Sequence, residues 1–158
     1  MTDLTATALI TGHPLSGVPT VGSLGVNTKI RLAFMAQLAI YVAENPINIA
    51  YSGIAFQPVS MQPYLRAAFS PSATKSFDLK SVDDYTGIFQ IDVMWPIQQG
   101  LIAPLGIASA LRAFFPRGST YHNNGLVVTI TLPSYISSPM QDSSWLCIPV
   151  NIPYRAFT

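Results

Sequence analysis

The residues able to do chemistry in this chain are few, and their spacing does not gather them. Gly17 to Ser23 imitates a phosphate loop, two glycines with four residues between them and a serine following. It lacks the lysine that reaches the phosphates, and no apolar strand leads into it, so it reads as chain punctuation. His13 and His122 lie far apart in turn-rich stretches and do not have the spacing of a metal pair. Cys147 is the sole cysteine and sits in an apolar run, which predicts a packed, reduced thiol rather than a nucleophile. Asp83 and Asp84 are adjacent carboxylates without the convergent oxygen ligands a cation needs. Asp92 interrupts an otherwise apolar strand, where it is expected on the solvent or subunit face, paired with a Lys or Arg, with catalysis the minor reading. Arg66, Arg112, Arg117 and Arg155 are dispersed, and serve either as phosphate contacts, if the fold gathers them, or as ordinary ion pairs. No catalytic residue, metal or cofactor is expected.

The totals point away from a freestanding enzyme. Hydrophobic residues make up 49% of the 158 residues and charged ones 9%, against about 25% charged in an average soluble domain. A single domain this poor in charge is short of solvated surface, so part of its exterior is expected to be buried between subunits. The net charge of +1 carries no basic field for nucleic acid. No apolar run is long enough to span a bilayer, and Met1 to Ile10 holds no Lys or Arg ahead of its apolar residues, unlike a secretory signal.

Residues 1–26 are Thr, Ala, Gly, Ser and Pro with scattered Leu and Val, punctuated by Pro14, Gly17, Pro19, Gly22 and Gly25. They read as a flexible arm that lies on a neighbouring subunit, ahead of one domain over 27–158. Helical periodicity begins near Thr28 with Asn27 as N-cap and ends at Glu44 before Pro46. This helix has two apolar stripes. Leu32, Met35, Ala36, Ala39, Val42 and Ala43 form the wide one, expected to face a sheet. Ile30, Phe34 and Tyr41 form a second, which needs another partner, either a loop of the same chain or another subunit.

Strands are predicted at Ile47–Tyr51, Pro63–Phe69, Thr86–Trp95, Leu126–Leu132 and Trp145–Phe157, and a second helix at Ala103–Phe115 with Pro104 in its first turn. Ala103, Ile107, Ala110, Leu111, Phe114 and Phe115 are its expected buried face. Thr86–Trp95 alternates cleanly, with Phe89, Ile91, Val93 and Trp95 on one side and Ile88, Gln90, Asp92 and Met94 on the other. In the last strand Pro149 and Pro153 share a parity and remove N–H donors on one side, which predicts an edge strand or an unpaired stretch there. The sum is an α+β domain, a largely antiparallel sheet with two helices packed on it.

Asn45-Pro46-Ile47, Pro63-Tyr64-Leu65-Arg66, Gly87 through Pro96, Phe115-Pro116-Arg117-Gly118 and Trp145 through Tyr154, taken in this order, resemble the bacteriophage tail-terminator-like family. The resemblance covers about Lys29 to Phe157 and does not include the arm. It implies a virion protein of the tail or neck, made in the host cytoplasm. Its subunits would assemble as a hexameric ring on the head-proximal end of the tail tube. The ring would stop tube polymerisation and meet the head-completion or connector proteins, with genomic DNA passing through its lumen. Another neck or minor tail protein is the nearby alternative, and a small ligand-binding or enzymatic domain the distant one.

Candidate subunit or tail contacts are the stripe of Ile30, Phe34 and Tyr41, and the segment Ser70–Asp84. Within that segment, Lys75, Asp78, Lys80, Asp83 and Asp84 are five of the chain's fifteen Lys, Arg, Asp and Glu residues. It reads either as a plain solvated hairpin loop or as a segment that orders on the tail tube or an adjacent subunit, its opposite charges setting register.

Overall fold

The computed structural model describes residues 24–77 and 82–158. Helix α1 (Val26–Glu44) leads into β1 (Asn48–Tyr51), β2 (Tyr64–Pro71), β3 (Lys75–Phe77) and β4 (Val82–Pro96). Helix α2 (Ile102–Phe114) follows, then β5 (Thr120–Asn123), β6 (Leu126–Ile130), β7 (Tyr135–Ile136), β8 (Met140–Asp142) and β9 (Trp145–Phe157). All the described strands join one sheet, ordered β1-β2-β4-β9-β6-β5, with β3 on β4 and β7 and β8 on β9. The class is α+β, with a mixed sheet. β1 and β2 are parallel, joined by the crossover of residues 52–63, and the other pairs are antiparallel.

The core forms on one face of the sheet, where α1 lies over β4, β5 and β6 and α2 over β4, β7 and β9, with Leu65 and Ala67 of β2 completing it. Phe89, Ile91 and Val93 of β4 meet Ile148, Val150, Ile152 and Tyr154 of β9 on that face, as alternation demands. Phe34 is the hub. Its ring stacks on Phe89 at 4.9 Å and lies 5.6 Å from Tyr154, 5.8 Å from Tyr121 and 6.2 Å from Phe115. Burying one such ring contributes about 1.5–3 kcal/mol.

This corrects the assignment of the two stripes of α1. Ile30, Phe34 and Tyr41, with Ala33 and Leu38, are buried in the subunit's own core and are not available to a second chain. The stripe expected to face the sheet turns outward: Ala36, Ala39 and Ala43 are exposed and Leu32 and Met35 half-buried. The physical reason is volume. Small alanines leave voids against a sheet, whereas Phe34 and Leu38 fill them. The helix also begins earlier than expected. Gly25, not Asn27, occupies the cap position, and no side chain bonds the free N–H groups. Val26 therefore belongs to the helix, while residues 1–23 of the expected arm lie outside the described residues. In α2 the buried set is Pro104, Ala108, Leu111 and, just beyond it, Phe115, while Ala103 and Ala110 are exposed, a rotation of the expected face.

The last strand is central rather than an edge. It pairs with β4 without a break from Pro96↔Trp145 to Asp84↔Phe157. Ile97 N–H donates to Ser144 O and Thr158 N–H to Asp83 O in the same register. Even-numbered residues of β9 therefore aim their N–H groups at β4, and odd-numbered ones, including both prolines, at the far flank. That flank is in three pieces. β8 meets residues 145–147, β7 meets 150–151 and β6 meets 154–157. Pro149 and Pro153 fall in the two gaps, where the regular ladder is interrupted as their parity predicts, with only Pro149 O accepting from Ser137 N–H at 2.9 Å.

The segment Ser70–Asp84 is strand at both ends. β2 runs to Pro71, and β3 pairs with the start of β4 through Lys75↔Asp84, Ser76↔Asp83 and Phe77↔Val82. Residues 78–81, with Asp78 and Lys80, lie outside the described residues. Thr120–Asn123, unmarked by periodicity, is strand because Asn124 (φ 47°) and Gly125 (φ 80°) make a two-residue turn that folds it onto β6. Gly87 admits a close crossing. A Cβ there would lie 2.5 Å from Tyr154 Oη and 2.6 Å from Ser70 O.

Candidate assembly surfaces

The sheet face opposite the helices carries two carboxylate–arginine pairs. Arg66 on β2 stands in register with Asp92 on β4. Its Nε donates to Asp92 Oδ2 at 3.0 Å and its Nη1 to Asp142 Oδ2 at 3.4 Å. Gln90 Nε2 donates to Asp92 Oδ1 at 2.6 Å, so both oxygens of this buried carboxylate are answered. Asn151 Nδ2 donates to Ser137 Oγ at 2.8 Å farther along the same face. A small second cluster of Tyr64, Met94 and Cys147 closes the end of this face, with Phe56 and Trp145 against it. Burial pushes the Cys147 thiol up to about 11, with Asp92 adding to the rise. It is a packing group, as expected.

The other carboxylate pair is at the opposite end. Arg155 Nε and Nη2 donate to the two oxygens of Asp84 at 2.8 and 2.9 Å, a bidentate fork, and the guanidinium lies 4.7 Å over the Phe157 ring. The hydrogen bond to Asp84 holds the Arg155 guanidinium above its ordinary range. Arg155 lies six positions along β9 from Pro149, the partner of Asp92, or about 20 Å. The arginines are thus not gathered into a phosphate site. Arg112 Nε donates to Ser134 O at 2.9 Å and serves to tie α2 to the loop after β6.

Of the expected contact residues, Lys75 is exposed and Asp83 half-buried, where it accepts a bond from Ser76 Oγ. Asp84 is buried and committed to Arg155. His122 is exposed on β5, and His13 and the stretch Gly17–Ser23 lie outside the described residues. Among the described residues, no group of three His, Cys, Asp or Glu is placed to hold a metal ion. No described helix is long and apolar enough to cross a membrane.

Two further features were not legible beforehand. Large apolar side chains stand in water at Ile54 and Met61 in the crossover after β1, at Ile102 at the start of α2, and at Leu132, Met140 and Phe157 on the β6–β9 side. Ile102 is 91% exposed, at a position where nothing in the subunit needs an isoleucine. A cleft of about 810 Å³ also opens at the end of α1, between Tyr41, Val42, Asn45 and Ile47 on one side and Trp95 and Ile107 on the other. No spacing in the sequence marks it, because its walls come from four separate segments.

The family model described as phage tail terminator protein matches residues 29–154, from α1 to the end of the core-facing run of β9. The chain belongs to the phage tail terminator family. One solved structure is similar to this chain at 28% identity, covering 84% of it and 96% of its own length, with a TM-score of 0.69. A chain in the virion of a native gene transfer agent particle is similar at 14% identity, covering 86% of this chain and 100% of its own, with a TM-score of 0.61. That second likeness is one of fold. No curated protein matches significantly. Family membership makes this chain a structural protein of the phage tail and hence of the virion.

Proposed function

We propose that the terminator closes into a hexameric ring on the head-proximal end of the tail tube, stops tube polymerisation and joins the tail to the head-completion or connector proteins. The observation that carries this reading is the family match across residues 29–154. A ring needs unlike surfaces on one subunit that meet head to tail. The sheet supports such a contact, since its two ends are different strands, β1 and β5, and exposed apolar side chains lie near each. The low charge of the chain fits a surface that is later covered. Genomic DNA passes through the lumen, and the subunit acts as a structural part, not a catalyst. Lys75 and Asp83, on the β3–β4 hairpin, with Asp78 and Lys80 between those strands in sequence, set register against the tube or an adjacent subunit.

Electron microscopy of particles made without the protein tests this. Tails of irregular, extended length that do not join heads are expected. Normal-length tails joined to filled heads would overturn it, and normal-length tails detached from heads would assign the protein to another position in the neck.

A further inference from the structure

The outward face of α1 is the surface least suited to water. From Leu32 to Ala43 it presents Leu32, Met35, Ala36, Ala39, Ile40 and Ala43, with no charged or hydrogen-bonding side chain among them. Ile40 is 48% exposed. A helix apolar around most of its circumference is ordinarily covered on both sides, and no described element covers this one. The face leads past Val42 into the cleft beside Trp95 and Ile107. The indole N–H of Trp95 is buried and finds no acceptor among the described residues.

Residues 1–23 supply a segment of matching chemistry. They include Leu4, Leu9, Ile10, Leu15, Val18 and Val21, and Asp3 is their one formal charge. They enter at Leu24, at the start of α1. The helix has 19 residues and is about 28 Å long. An extended stretch of 23 residues reaches roughly 75 Å, so it can run the helix and still fill the cleft. Tethering gives such a segment a millimolar effective concentration at its own helix, far above that of any neighbour in dilute solution. A second copy is the weaker occupant, since a stable dimer needs about 800 Å² per partner and this strip is one helix face wide.

We infer that the N-terminal segment docks in cis on its own subunit, along the Leu32–Ala43 face of α1 and into the cleft at Ile47, Trp95 and Ile107. It covers an apolar surface of the free subunit. The inference concerns the isolated chain and does not depend on the ring.

The test is paramagnetic broadening in the full chain, with a nitroxide on Ala8→Cys. Cys147 is buried with its thiol pushed up to about 11, so labelling is confined to the new position. Amide signals of Ala36–Ala43, Asn45, Ile47 and Asn48 should lose most of their intensity while those of β3, at the far end of β4 from Trp95, keep theirs. A mixture of nitroxide-bearing chains with isotope-labelled chains free of nitroxide should show no loss. Adding Ala39→Gln and Ile40→Gln, both at exposed positions the fold tolerates, should restore the signals. Even, weak broadening over the whole surface would overturn the inference. So would loss in the mixed sample, which would give the surface to a neighbour, or broadening that survives the two glutamines.

Discussion

The two faces of the sheet are both buried along their centre, but by opposite means. Under the helices, Phe34, Phe89, Phe115 and Tyr154 exclude water by shape and make few polar demands. On the other face Asp92, Asn151 and Asp84 are also nearly inaccessible, at 3%, 6% and 4% exposure, and there every oxygen of the two carboxylates has a donor. The dry face depends on volume and tolerates no void. The polar face depends on pairing, and since Arg66 and Arg155 are both partly exposed, water can stand in for a lost partner. One sheet thus has a face that fails by cavity and a face that fails by an unanswered charge.

The largest effect expected from breaking this contrast is on the dry face. Phe34→Ala removes the ring that touches four other aromatics and should cost about 3–5 kcal/mol in urea unfolding. Gly87→Val should weaken the fold by at least 2 kcal/mol or so, because its Cβ would meet Tyr154 Oη and Ser70 O below contact distance. On the polar face, Asp92→Ala should cost less, about 1–3 kcal/mol, since Arg66 retains Asp142 and solvent. A larger loss for Asp92→Ala than for Phe34→Ala would show that the polar face, not the aromatic hub, holds the sheet.

Alkaline titration distinguishes the two faces by pH. Burial raises the Cys147 thiol from 9.0 to about 11 on the polar face and the Tyr154 phenol from 10.0 to about 12 on the dry one. Each group is neutral in the fold where the unfolded chain would release its proton. The stability involved is complete below the unfolded value and lost as pH rises through the folded one. Unfolding free energy should therefore fall from pH 9 toward 11, then further toward 12. Cys147→Ala should flatten the first stage and Tyr154→Phe the second. A slope unchanged by either variant would show that other groups titrate there.

The smallest effect on the subunit is expected at Ile102→Ser, within about 0.5 kcal/mol, because the side chain is 91% exposed. Its readout is assembly: tails made with this variant should be misterminated if Ile102 is covered in the ring. Normal tails would leave this apolar residue outside the contact.

Strand faces were determined by the chain alone. Alternation in Thr86–Trp95 and Trp145–Phe157 assigns each side chain a side before any partner is known, and the parity of Pro149 and Pro153 requires gaps on one flank. The need of Asp92 for a cation follows in the same way, because a carboxylate inside an apolar strand is costly without one. Tertiary structure decided what local pattern leaves free. A helix apolar almost all round, as α1 is, has no preferred face until a sheet with room for Phe34 is present. The parallel pairing of β1, the place of β9 at the centre of the sheet and the choice of Arg66 for Asp92 are contacts between distant segments. So is the cleft, whose walls at Tyr41, Ile47, Trp95 and Ile107 meet only when both helices have closed on the sheet. A period of two or of 3.6 residues carries direction but not partner, and partner is what positions a surface.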